Sequence, residues 1–188
     1  GGFCSLGALV GLVVASGIAF RAPRCGLHWR YLDQAAIAML LALGILRVGC
    51  FLGHHHAGRL SQFFLAVTYP GGARHDLGLE EAILVFALLA GLTILERTVQ
   101  NLWAGYLSAS IVLLYGLGRF ALEWLRGDDI ELMGRHSDPR YKGLTVIQYG
   151  GLLLVVFGVL LFLSRRRCRR ACAYGSFRNL DKPSRRSH

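Results

Sequence analysis

Apolar residues dominate five stretches of the chain, 2–20, 35–52, 80–95, 102–125 and 145–163. A single helix needs roughly 20 mostly apolar residues to cross the hydrocarbon of a bilayer, where lipid offers no partner to a backbone N–H or C=O. Each stretch therefore predicts a spanning helix, the third being the shortest. Polar segments separate them: 21–34, with three Arg against one Asp; a long 53–79; a tight 96–101; and 126–143. Glycines at Gly7, Gly11 and Gly17 in the first stretch, and at Gly116 and Gly118 in the fourth, predict close helix approach.

Composition agrees with this pattern. A soluble domain of 188 residues rarely combines 54% hydrophobic residues with only 17% charged ones. The expected fold class is an all-α, polytopic transmembrane helix bundle of about five spans with a partly structured outer loop. The formal charge of +10 is concentrated at one end, since 165–188 holds nine Lys and Arg against one Asp, a net +8. Such a tail suits anionic lipid at a cytoplasmic leaflet better than nucleic acid. Residues 1–164 are thus expected to form the membrane domain and 165–188 a basic cytoplasmic tail. With the tail inside, five spans place 21–34 inside as well, consistent with its arginines, and turn 53–79 and 126–143 outward. The five cysteines, Cys4, Cys25, Cys50, Cys168 and Cys172, make no CxxC pair and imply neither a disulfide framework nor a zinc finger. The chain opens on Gly1-Gly2 without a signal-like charged region and reads as a fragment with further helices upstream.

Several charged residues sit where hydrocarbon should exclude them. Arg47 falls near the end of the second stretch with no acid nearby in sequence, so a partner, a wet cavity or an anionic ligand is required of the fold; the plainer reading is a side chain that snorkels to the interface. Arg119, Glu123 and Arg126 are spaced four and three apart and share one helical face. They read either as a self-satisfied ion-pair ladder or, with Arg47 added, as three guanidiniums against one carboxylate, a set that would fork onto a phosphate. One of Glu80 and Glu81 is expected to serve the helix dipole and the other to pair with Arg47 or Arg119, because adjacent residues point apart. His54, His55 and His56 have no ligand spacing that favours a metal. Titrating near neutrality, they are better placed as a general base or a phosphate donor.

These residues fall in strings with a familiar look. Residues 46–58, Leu-Arg-Val-Gly-Cys-Phe-Leu-Gly-His-His-His-Ala-Gly, resemble the signature segment of prolipoprotein diacylglyceryl transferases. In the same order, Arg74-His75 through Glu81-Ala82 is similar to the family's glutamate motif, and 115–129 to its Arg-Phe-x-x-Glu-x-x-Arg block. Residues 143–148 resemble its Gly-x-Thr/Ser-x-x-Gln segment, and 7–11 the end of its His-Gly-Gly-Leu-Ile-Gly stretch. Leu6 stands where that family has histidine, Cys50 where it has asparagine, a histidine at the segment's later acidic position, and Asp76, Gly78 and Glu80 where it has Pro, Gln and Tyr.

The resemblance implies a multi-pass protein of the bacterial cytoplasmic membrane that moves the diacylglyceryl group of phosphatidylglycerol to the lipobox cysteine of a preprolipoprotein, without a metal or cofactor. It implies Arg47, Arg126 and Glu81 as catalytic residues; a base must also take the thiol proton, and His54, His55 or His56 is expected to supply it. Arg119, Glu123, Gly49, Cys50, Gly58 and Gln148 are implied to bind substrate, Gly49 and Gly58 by shaping the signature loop. Phosphatidylglycerol or another anionic phospholipid, the lipobox protein and the membrane are the implied partners. The alternatives from other classes are a non-catalytic relative that binds anionic lipid as a subunit of a membrane complex, and a histidine-ligated metal or redox protein.

Overall fold

The structure is a computed structural model and describes residues 26–99, 102–127 and 140–180, with side chains through 166. The predicted first span, with Leu6 and its glycines, lies outside the described residues, as do Cys4 and Cys25, residues 128–139 and 181–188, and the side chains of Cys168 and Cys172.

Four helices and two small sheets follow in the order α1 (Gly26–Leu52), β1 (Ala57–Leu60), β2 (Val67–Tyr69), β3 (Gly72–Asp76), α2 (Leu77–Thr98), α3 (Tyr106–Leu122), a 3-10 turn (Glu123–Leu125), β4 (Arg140–Tyr141), β5 (Leu144–Thr145) and α4 (Val146–Leu180). Three segments are long and apolar enough to cross a bilayer: Trp29–Leu52, Leu77–Thr98 and Val146–Arg166. The chain is therefore a helical membrane protein, but among the described residues three such spans stand where four of the five were expected. The stretch 102–125 departs from expectation. Its helix has 17 residues, rising about 25 Å against a hydrocarbon core of roughly 30 Å. Gly105, in a left-handed conformation, delays the start, and the 3-10 turn ends it.

α3 owes its position to polar bonds at its start and small residues along its side. Asp33 of α1 accepts from the Gly105 N–H at 2.7 Å and from the Ser108 N–H and hydroxyl at 2.8 and 2.7 Å. A carboxylate from a neighbouring helix thereby satisfies the N–H groups that any helix start leaves open. Farther along, a Cβ on Gly116 would stand 2.9 Å from Leu154 Cβ, and one on Gly158 would stand 2.8 Å from the Leu113 backbone, so α3 and α4 pack backbone to backbone. Leu40, Val85, Leu92, Leu107 and Ile111 fill the space among α1, α2 and α3. Trp29, Ala109 and Leu161 fill that among α1, α3 and α4.

The segment between α1 and α2 is more ordered than a partly structured loop, forming a three-stranded antiparallel sheet in the order β1-β3-β2. Pro70 and Gly71 join β2 to β3, with Gly71 at φ 92 where only a residue without a Cβ sits at ease. β3 runs directly into α2, whose N-cap is Asp76: its Oδ1 accepts from the Leu79 N–H at 3.0 Å, and its other oxygen accepts from the Tyr69 hydroxyl.

Candidate functional site

At the end of the bundle that carries the sheet, α1, α2, α3 and the 3-10 turn contribute to one buried polar row. Arg47 comes from the last turns of α1, Glu81 from the second turn of α2, Arg119 from the end of α3, Glu123 from the 3-10 turn and Arg126 from its C-cap. Arg47 Nε lies 2.9 Å from Glu81 Oε1, and Arg119 Nε lies 3.6 Å from Glu81 Oε2. Arg119 Nη1 and Arg126 Nη1 each lie 2.9 Å from a different oxygen of Glu123. The result is an alternating ladder, Arg47–Glu81–Arg119–Glu123–Arg126, in which three guanidiniums share two carboxylates.

Both carboxylates are almost fully buried, at 2% exposure each, and each has a neutral supporter. Tyr115, one helical turn before Arg119, donates its hydroxyl to Glu81 Oε1 at 2.6 Å. Thr145, at the head of α4, donates to Glu123 Oε1 at 3.3 Å. Thr145 and Gln148 also exchange bonds, the Thr145 N–H to Gln148 Oε1 at 2.9 Å and the Gln148 N–H to Thr145 Oγ1 at 3.2 Å. This reciprocal cap aims the start of α4 at Glu123. Arg47 Nε and Arg119 Nη1, and Glu123 Oε2 opposite the latter, are buried in contacts of ion-pair length whose angles fall short of a hydrogen bond. Three guanidiniums on two carboxylates leave one positive charge unmatched within the ladder.

Arg47 therefore does not snorkel away; its side chain is 15% exposed and meets Glu81. The adjacent glutamates diverge, with Glu80 paired to His75 while Glu81 joins the ladder. The three histidines separate too. His54 and His55 are exposed; His54, at φ 49, sets its ring edge-on to Tyr69 and is 3.9 Å from Asp76 Oδ2. His56 is half-buried and accepts the Leu77 N–H on its carbonyl at 3.0 Å. Its imidazole is held below the ordinary histidine value, by burial first and then by the positive charge of Arg47 and Arg126. His56 is thus the histidine whose titration registers the ladder. Among the described residues no three His, Cys, Asp or Glu side chains cluster in a way that would hold a metal.

The expectation that Gly49 and Gly58 both shape a loop needs correction. Gly49 lies within α1, and a Cβ there would meet nothing within 4 Å. Gly58 is different: its strand bridges to Arg126, and its Cβ would stand 2.6 Å from both the Leu125 carbonyl oxygen and Leu77 Cδ1. Arg74 donates to the Gly58 carbonyl at 3.1 Å and Arg59 to the Arg126 carbonyl at 3.3 Å, so the sheet is fastened over the ladder's last rung. Gly58→Ala is expected to lose about 1–3 kcal/mol of stability, whereas Gly49→Ala should gain a few tenths to about 1 kcal/mol in a helix interior. Thermal unfolding of the two purified variants checks both signs.

Cys50 is a free, half-buried thiol one turn after Arg47. Gln148 contacts the ladder through Thr145. Tyr115 and Thr145 were not singled out from sequence, although the first sits four residues before Arg119 and the second opens a Thr-x-x-Gln capping box, signals that a helical projection of the chain displays.

A family profile described as Prolipoprotein diacylglyceryl transferase matches residues 1–164. Among curated proteins, the phosphatidylglycerol–prolipoprotein diacylglyceryl transferase of Bacillus velezensis is 29% identical over 178 residues, 88% of this chain and 62% of that protein. The protein of the same name from Brucella ovis is 32% identical over 139 residues, 70% of this chain and 48% of that protein. The chain thus spans about half to three-fifths of the length of these relatives. No solved structure matches it.

Proposed function

The chain belongs to the prolipoprotein diacylglyceryl transferase family, and from that premise we propose that it moves the diacylglyceryl group of phosphatidylglycerol to the lipobox cysteine thiol of a preprolipoprotein. The observation that carries this reading is the convergence of Arg47, Arg119 and Arg126 at one end of an apolar bundle, three guanidiniums whose charge and N–H donors outnumber what the two carboxylates Glu81 and Glu123 can take. A lipid phosphate has the charge and the lone pairs to take those donors, and its acyl chains suit the surrounding helices. The site end of the bundle faces outward in the bacterial cytoplasmic membrane, and the basic extension of α4 faces the cytoplasm.

In this scheme the lipobox sulfur attacks the glyceryl carbon bonded to phosphate. A C–S bond forms, the C–O bond breaks, and glycerol phosphate leaves with the electron pair of that bond. Arg126 and Arg119 stabilise the charge growing on the departing phosphate, and Arg47 orients it. Glu81 and Glu123 keep the guanidiniums in place rather than react. The thiol proton passes to His56, which burial and neighbouring arginines keep neutral and able to accept it.

The acid limb of the pH–rate profile tests the last assignment. Because the His56 imidazole is held below about 6.5 and only its neutral form accepts a proton, transfer should stay level from neutrality to below that value and fall only in more acid solution. His56→Gln should lower the rate by about a hundredfold or more and erase the limb. A limb centred above the ordinary histidine value, unchanged in that variant, assigns the proton elsewhere.

A second reading is a non-catalytic relative that holds an anionic lipid as part of a membrane complex. It is favoured by Leu6, Cys50 and Asp76 standing where the family motifs have other residues. Incubating the purified protein with labelled phosphatidylglycerol and a lipobox peptide separates the two: thioether product supports the transferase, and lipid binding without product supports the relative.

A further inference from the structure

Membrane-crossing helices expose apolar side chains to lipid as a matter of course, so exposed apolar residues need an explanation mainly outside them. Three fall in the short run 60–64. Leu60 closes β1, and the β1–β2 loop carries Phe63 and Phe64; they are 57%, 48% and 82% exposed. The tip is ordered: the phenyl centroids lie 4.4 Å apart, the Phe63 N–H donates to Ser61 Oγ at 3.0 Å, and the Ala66 N–H returns to the Phe63 carbonyl at 2.8 Å. Holding two phenyl rings together in water forgoes the burial such rings ordinarily gain.

The level of this tip relative to the membrane follows from its contacts. Phe63 stacks on His75 with centroids 5.8 Å apart, and His75 pairs with Glu80 in the first turn of α2. That turn is also where the bilayer-crossing segment Leu77–Thr98 begins. The rings thus stand within two side chains of the start of that apolar segment, and aromatic rings collect near such ends in membrane proteins.

We propose that Leu60, Phe63 and Phe64 dip into the headgroup–acyl boundary of the leaflet at the site end, so that the sheet is a lipid-anchored cover rather than a domain in water. The contact that fastens the sheet to the ladder, Gly58 against Arg126, is then held at headgroup level, where a lipid phosphate would enter. This inference rests on the membrane-crossing helices and is independent of the transfer reaction.

Phe64→Trp in the full chain, reconstituted in phosphatidylcholine–phosphatidylglycerol vesicles, tests it. At a side chain 82% exposed the larger ring has room. The emission added by the substitution, taken as the difference from the unsubstituted chain, should be blue-shifted and resist aqueous iodide. Lipids brominated near the carboxyl end of the acyl chain should quench it more than lipids brominated near the methyl end, matching an insertion of about 5–10 Å. Emission typical of water, quenched by iodide and indifferent to bromine, overturns the proposal. Shielding from iodide that appears only when a lipobox peptide is added also overturns it and makes the tip a peptide contact.

Discussion

Arg126→Lys is expected to leave the helices intact and to slow diacylglyceryl transfer by about a hundredfold or more, the loss that follows removal of one preorganised donor to a developing anion. Arg126 reaches Glu123 with one terminal nitrogen at 2.9 Å, and a planar guanidinium can meet a carboxylate along one edge and a phosphate along another. An ammonium on a flexible stem keeps the charge but not that fork. The contacts that seat the sheet are spared, since Arg59 and Gly58 engage Arg126 through its main chain. Labelled phosphatidylglycerol and a lipobox peptide provide the assay, and helix content by circular dichroism provides the control. Transfer at the unsubstituted rate would remove the phosphate-holding mechanism.

The largest loss of stability is expected at Glu123. Its side chain is fully buried, lies 2.9 Å from both Arg119 and Arg126, and receives the Thr145 hydroxyl. Glu123→Leu keeps the volume roughly constant but removes a carboxylate from both Arg119, which keeps only its longer contact to Glu81, and Arg126, and takes the acceptor from the Thr145 hydroxyl. Removing one member of a buried charged set costs about 3–5 kcal/mol, because the remaining charges keep their desolvation penalty. Thermal unfolding in detergent should show the drop. Glu123→Gln should lose less, since its amide oxygen still accepts from one arginine and from Thr145. Equal stability of all three proteins would mean that the ladder contributes nothing to the fold.

The apolar stretches announced the membrane helices because lipid solvates nothing polar, yet their ends were harder to place. α1 already includes 26–34, ahead of the apolar run from 35, and Asp33, which looks like a loop residue, is accommodated there by the bonds it accepts from the start of α3. α2 is longer than its apolar run because Asp76 caps it from just before Leu77. Arg119, Glu123 and Arg126 were legible as a column since helical spacing fixes which residues are neighbours. That Arg47 joins them through Glu81 depends on how α1, α2 and α3 pack, and local spacing carries no information about it. The sheet was hardest. Its strands are three to five residues long, too short for alternation to stand out, although Tyr69-Pro70-Gly71-Gly72 carried the turn chemistry of the hairpin within it.

The ladder also bears on how such a chain is made. Its members lie on successive segments, so a translocon releasing them in order meets Arg47 well before Glu81, and Glu123 before Thr145. An arginine costs about 2.5–3.5 kcal/mol at the centre of a lone inserted helix on insertion scales and less near its end, where Arg47 lies, so α1 is more at ease in lipid once Glu81 has emerged to meet it. The ladder thus closes only when segments far apart in translation order have all been delivered to the same leaflet.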